Sequence, residues 1–231
     1  MTISSEYIGN QWNGSTVDPY GDPWYRFSRI LAILNATTSV STESKWLDLG
    51  CHQGQFASVI RAKYDCEVSG IDDWSGAVDA DRGWQYWQRD LANGIQLTQR
   101  FTHISALEVI EHMIDTDAFL RDCHEHLETN GCLVLSTPNI NSLRNRITVP
   151  LGAYPAGLEY RNIIHHVRLY NPTALIRQLH EHGFKIRAVR GVNFLPISLL
   201  RRRWAVLRLI EGLADQMPQL CGNFIVVASR E

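Results

Sequence analysis

Two groups of residues in this chain have types and spacing that could do chemistry. The first is Asp48-Leu49-Gly50-Cys51-His52-Gln53-Gly54, followed by Gly70-Ile71-Asp72-Asp73. Glycines in such a turn permit tight backbone geometry and close approach by a ligand. A helix that begins after the turn offers free N–H groups and the positive end of its dipole. A carboxylate roughly twenty residues further on can accept both hydroxyl protons of a ribose. Asp72 is the expected ribose ligand, with Asp73 solvated beside it. The second group is histidine-based: Glu111-His112 and His165-His166. An imidazole titrates near neutrality and can take a proton from a hydroxyl, which makes His112 and His166 the candidate catalytic bases. The plainer alternatives are a structural pair at His112 and a surface pair at His166. No metal site is expected. His124 and His126 flank Cys123, and His180 and His182 share the same spacing, so neither pair lies on one face of a helix.

These residues need elements to position them. Trp46–Leu49 is a short apolar run ended by Gly50, read as a buried strand. Phe56–Tyr64 has helical spacing. Glu67–Ile71, Gln85–Trp87 and Phe101–Leu107 read as further strands. Thr116–Leu127 reads as a helix, with Asn130-Gly131 expected to close it in the left-handed conformation. Cys132–Ser136 is a fifth strand. Asn171-Pro172-Thr173 opens another helix, with Asn171 as cap and Pro172 at its first position, and Gly183 ends it. Phe184–Val189 and Asn223–Ala228 complete the strands, and Trp24–Leu34 is a helix before the first of them. Strands alternating with helices imply a parallel sheet covered on both faces. The stretch 140–168 is too long for an ordinary connection, and such loops are usually functional.

A strand–glycine turn–helix followed by an acid at the next strand end suits a nucleoside cofactor. A dinucleotide site reads G-x-G-x-x-G, because the pyrophosphate needs close backbone approach. Here His52 stands where the middle glycine would be, which disfavours a nicotinamide dehydrogenase. S-adenosylmethionine (SAM) carries no phosphate and is less demanding.

Several runs resemble class I SAM-dependent methyltransferases, in the branch of ubiquinone-type small-molecule O-methyltransferases. Trp46-Leu47-Asp48-Leu49-Gly50-Cys51 is similar to the first motif, with His52 in place of its central glycine. Gly70-Ile71-Asp72 resembles the second. Gln88-Arg89-Asp90-Leu91 resembles the third, whose Asp contacts the adenine amine, with Arg89 replacing a glycine. Ala106-Leu107-Glu108-Val109-Ile110-Glu111-His112 and Gly131–Asn139 are similar to the runs at the fourth and fifth strands. Thr102 stands where many relatives have Asp. The resemblance implies an α/β fold: a doubly wound, mostly parallel seven-stranded, Rossmann-like methyltransferase sheet with an N-terminal helix and a lid insertion. It implies SAM as cofactor, S-adenosylhomocysteine (SAH) as product and no metal. The implied cofactor residues are Asp48, Gly50, Cys51, His52, Gly54, Asp72, Asp73, Asp90 and Leu107. Trp74 is a candidate to stack beside the adenine.

Composition narrows the remainder. The 231 residues fit one domain, with a helical extension at about 1–42, a lid at about 140–170 and an insertion at about 196–218. A net charge of −2 gives no global case for nucleic acid. Five scattered cysteines without a C-x-x-C pair point to reduced thiols and a cytoplasmic protein. No signal peptide is expected at Met1–Asn10, and no apolar run reaches the roughly 18 residues of a membrane span. Within 196–213, Leu199, Leu200, Trp204, Leu207 and Ile210 can share a face beside four arginines. That pattern fits peripheral contact with the inner face of an anionic membrane, or a helix packed over the acceptor pocket. The expected activity is methyl transfer to a small molecule, with an oxygen nucleophile of a quinone precursor, sugar or similar metabolite as the acceptor. The competing reading is a non-catalytic SAM-fold partner subunit.

Overall fold

A computed structural model describes residues 23–73, 83–156, 166–194 and 212–231. Helix α1 (Pro23–Thr37) leads into β1 (Lys45–Leu49), α2 (Gln55–Tyr64), β2 (Glu67–Asp72) and β3 (Gln85–Gln88). Next come β4 (Phe101–Leu107), α3 (Thr116–His126), β5 (Leu127–Pro138), α4 (Leu143–Thr148), α5 (Pro172–Glu181), β6 (Phe184–Val192) and β7 (Asn223–Arg230). The seven strands form one sheet in the order β3-β2-β1-β4-β5-β7-β6. Strands β1 to β5 pair in parallel, and β7 runs antiparallel to both β5 and β6. The expected doubly wound, mostly parallel sheet is therefore present.

Alternation along the strands builds two cores. Leu47 and Leu49 of β1 face one side, with Ile104 of β4, Leu133 and Leu135 of β5, Phe119, Leu120 and Cys123 of α3, and Leu175 and Leu179 of α5. Trp46 faces the other, with Phe56, Val59 and Ile60 of α2 and Phe27, Ile30 and Leu34 of α1. Asp48 shares the parity of Trp46, so its carboxylate is turned towards α2.

Caps set the helix starts. Asp115 accepts the Ala118 N–H to open α3, and Asn171 accepts that of Ala174 to open α5, with Pro172 at its first position as expected. Asn130 does not close α3 as expected. The helix ends at His126, and Asn130, at φ 62°, lies inside β5. Leu127 pairs with Phe101 and Cys132 with His103, so the left-handed residue belongs to a bulge that takes up the extra chain. Of the histidines on α3 and α5, His126 bonds Asp122, and His182, at the end of α5, bonds Asp117.

Trp46 is fully buried, and its indole N–H donates to Ser105 Oγ at 2.8 Å. Its ring lies flat on His103, with centroids 4.9 Å apart. His103 is held between the Thr38 and Thr102 hydroxyls, and burial lowers its pKa to about 4. The unfolded chain therefore takes up a proton that the folded chain refuses, and stability falls as pH drops from about 6.5 towards 4. Replacing His103 by Gln should flatten this response. In thermal melts, the loss of midpoint between pH 7 and pH 5 should be smaller in the variant than in the parent.

Candidate active site

Strand order reverses between β1 and β4, so the connections leaving their carboxyl ends diverge and open a crevice. Both groups of candidate residues lie at that edge. The first is the turn from β1 to α2, where Gly50, His52 and Gly54 have φ of 65°, 48° and 75°. Glycine at 50 and 54 is required by space as well as by conformation. A Cβ on Gly50 would lie 2.5 Å from Val109 Cγ2, and one on Gly54 would lie 2.0 Å from the Trp84 ring. His52 is exposed, so a side chain fits there, and the left-handed backbone is held by its N–H donating to Asp72 Oδ2 at 2.6 Å. The Gly50 N–H donates to the Ile71 carbonyl at 2.8 Å, tying the turn to β2.

Asp48 supports the turn from beneath. It is 3% exposed, accepts the Ser105 hydroxyl at 2.6 Å and is bonded by the backbone of Ala57 in the first turn of α2. Gly54, the cap residue of α2, offers no side chain, so Asp48 takes over part of that role. Burial pushes the Asp48 carboxyl up to about 7, the Ser105 bond opposes this, and facing Asp72 adds to it.

The third segment departs from expectation in detail. Arg89 is turned away, donating to the carbonyls of Ile95 and Gln96. Asp90 is exposed and caps the short helix Leu91–Asn93 by accepting the Ala92 N–H at 2.8 Å. Asp73 is exposed and Leu107 half-buried at the end of β4, while Cys51 is buried with Sγ against Gly70. Trp74 lies outside the described residues.

The second group follows β4. Glu108 has φ 58°, and its carboxylate accepts Ser136 Oγ at 2.8 Å and Asn223 Nδ2 at 2.9 Å and pairs with Arg26 of α1 at 3.2 Å. Ile110–His112 forms a turn of 3₁₀-helix. Glu111 is 1% exposed. Its Oε2 accepts Thr137 Oγ1 at 3.0 Å, and its Oε1 is buried without a hydrogen-bond partner. The Glu111 carbonyl accepts the N–H groups of Val167 and Arg168, which docks the segment leading into α5. His166 is thereby brought to His112, ring centroids 4.8 Å apart. Ligand-type atoms of Glu111, His112 and His166 lie within 4.8 Å of one another. Burial, then the nearby Glu108 carboxylate, push the Glu111 carboxyl up from its ordinary value. Glu111, His166, Arg168, Ile140 and Leu169 line a small cleft. The structure thus joins the two expected histidines with Glu111 and adds Glu108 and Arg26, which sequence reasoning did not place in the site. A carboxylate at both ends of the run Glu108–Glu111 was the available signal. His165 lies outside the described residues. A cavity of about 770 Å³ opens at the opposite, amino-terminal edge of the strands and is separate from this site.

A family model described as a methyltransferase domain matches residues 25–189. The chain belongs to the class I SAM-dependent methyltransferases. Over 160 residues it is 23% identical to a ubiquinone biosynthesis O-methyltransferase of Coxiella burnetii, covering 66% of this chain and 68% of that one. Its identity to the mitochondrial ubiquinone biosynthesis O-methyltransferase of Schizosaccharomyces pombe is 26% over 204 residues, with coverage of 79% and 73%. A SAM-dependent methyltransferase structure from Mesorhizobium loti superimposes with a TM-score of 0.62 at 18% identity, covering 92% of this chain and all of that one.

The residues of this methyltransferase fit its cofactor. Two carboxylates flank the turn, Asp48 beneath it and Asp72 on the His52 N–H. Acids on both sides suit a sulfonium cation and would repel a pyrophosphate. Replacing Asp72 by Ala removes a charged acceptor for ribose hydroxyls and the anchor of the His52 N–H. Since such a bond is worth about 1.5–3 kcal/mol, SAM affinity should fall at least about tenfold by calorimetric titration. An unchanged dissociation constant would refute the assignment.

Proposed function

We propose that this methyltransferase transfers the methyl group of SAM to an oxygen of a small acceptor, with His112 and His166 taking the proton. The observation that carries this reading is the convergence of Glu111, His112 and His166 at the carboxyl end of β4, across the crevice from the glycine turn. SAM supplies an electrophilic methyl carbon on a cationic sulfur that leaves readily. The protein has to align the acceptor in line with that carbon and exclude water. A hydroxyl acceptor must also lose its proton, and an imidazole can take it. Glu111 then faces the imidazolium and offsets its charge, which favours the carboxylate at the moment of transfer.

The names of the curated relatives, both O-methyltransferases, support oxygen as the nucleophile. A quinone precursor, a sugar or a similar metabolite is the proposed acceptor class. The exposure of His52 and the turning of Arg89 away from the turn support the catalytic reading over a non-catalytic partner subunit. We place the protein in the cytoplasm. The segment 196–213, read either as a membrane contact or as a helix over the acceptor pocket, lies almost wholly outside the described residues, and no described helix is long and apolar enough to cross a membrane.

The test is SAH formation with a catechol and with a thiol acceptor. His112→Ala and His166→Ala should lower turnover of the catechol by about 10²–10⁴-fold with SAM affinity unchanged. At alkaline pH the thiol, already ionised, should lose far less. Equal losses on both acceptors would overturn the base role. Because the same three groups could hold a divalent cation, the assay is run with and without a chelator. An unchanged rate is expected, and loss on chelation would reassign the cluster.

A further inference from the structure

The Asp48 carboxylate is a buried titratable group that methyl transfer itself does not use. Its environment is defined on every side. From β4 comes the Ser105 hydroxyl, which is in turn held by the Trp46 indole. From α2 comes the Ala57 N–H, and the first turn of that helix carries no acidic side chain. From β2 comes the Asp72 carboxylate, committed to the His52 N–H above the turn. The turn itself brings the exposed His52 and the buried thiol of Cys51. No basic side chain forms an ion pair with Asp48 among the described residues. A lone carboxylate is therefore enclosed beneath the turn, faced by a second one above it.

The two forms of the cofactor differ in charge. At neutral pH, SAM carries a sulfonium, an ammonium and a carboxylate, for a net charge of +1. SAH has lost the sulfonium and is neutral overall. A cation seated on the turn supplies the positive charge that Asp48 lacks, and the neutral sulfide does not.

We propose that Asp48 is a positioning residue that releases a proton to solvent when SAM binds and retains it when SAH binds, so that discrimination between substrate and product depends on pH. This rests on the assignment of the turn as the SAM site. Above neutrality Asp48 is already ionised, anchors the first turn of α2 as a full acceptor, and favours SAM. Below neutrality the proton must be expelled before the same arrangement forms, and SAM loses its advantage. Burial that pushes the carboxyl up to about 7 places the change within the physiological range.

The test is calorimetric titration of the full chain with SAM and with SAH at pH 6, 7 and 8, in two buffers of different ionisation heat. With the free carboxyl at about 7, SAM affinity should weaken about tenfold from pH 8 to pH 6, with close to one proton released per SAM at pH 6. SAH should show a much smaller change. Asp48→Asn keeps the shape and a hydrogen-bonding partner for Ser105, and should abolish the difference between the two ligands' pH responses. Titration of the ligands' own amino groups persists in Asp48→Asn and is subtracted with it. If Asp48→Asn fails to fold, Ser105→Ala serves, because losing a bond that lowers the Asp48 pKa should move the transition to higher pH. Equal proton release with SAM and SAH, a slope retained in Asp48→Asn, or an unmoved transition in Ser105→Ala would each overturn the inference while leaving the SAM site intact. No binding of either ligand at any pH would instead overturn the site assignment, and the inference with it.

Discussion

The site depends on one constraint: a turn with three left-handed residues has to be held open at the end of a buried strand. Gly50 and Gly54 adopt that backbone freely, but His52 does so at a cost. The cost is offset by the bond from the His52 N–H to Asp72 and by the bond from the Gly50 N–H to the Ile71 carbonyl. Both partners lie at the end of β2, so the register of β2 on β1 decides whether the turn forms. Leu49 pairs with Ile71 in that register. A slip of one residue would move Asp72 away from the turn and reverse the faces of β2. Fold and cofactor geometry are thus one problem, solved by the same strand pair.

The second half of the site follows from topology. Reversal of strand order between β1 and β4 places Leu107–His112 across the crevice from the glycine turn. Glu108 ties this segment to β5, β7 and α1 through four polar groups, and this anchoring offsets its own left-handed backbone. Glu111 then docks Val167 and Arg168 by its carbonyl. Rigid anchoring on one side and main-chain docking on the other bring His112 and His166 together. A buried carboxyl with an unpartnered oxygen beside them is costly, and such costs concentrate where chemistry is done.

Much of the fold was legible because apolar runs of period two survive in the buried strands. Phe101–Leu107 was read with the bounds it has, and the helix opened by Asn171-Pro172 was marked by its cap chemistry. The start of β5 was not legible. Glu128, Thr129 and Asn130 are polar and solvated, and Asn130-Gly131 has the chemistry of a helix stop as much as of a bulge. Within the site, Gly50, Gly54 and Asp72 could be read from local spacing, because each acts through the backbone of adjacent elements. The convergence of His112 with His166 could not, since residues remote in sequence are joined through main-chain bonds to the Glu111 carbonyl that no side chain advertises. Arg89 illustrates the reverse error: a bulky residue at a position usually small looks obstructive in sequence, yet its long side chain turns onto the Ile95 and Gln96 carbonyls.

The central claim is that the glycine turn holds the cofactor and presents its sulfur to the Glu111–His112–His166 cluster. A crystal structure of the chain with SAH tests it most directly. The account predicts ribose hydroxyls on Asp72, the homocysteine along Gly50–Gly54 and the sulfur facing the cleft lined by Glu111 and His166. Density for SAH in the cavity at the opposite edge of the sheet, or a sulfur directed away from that cleft, would contradict it.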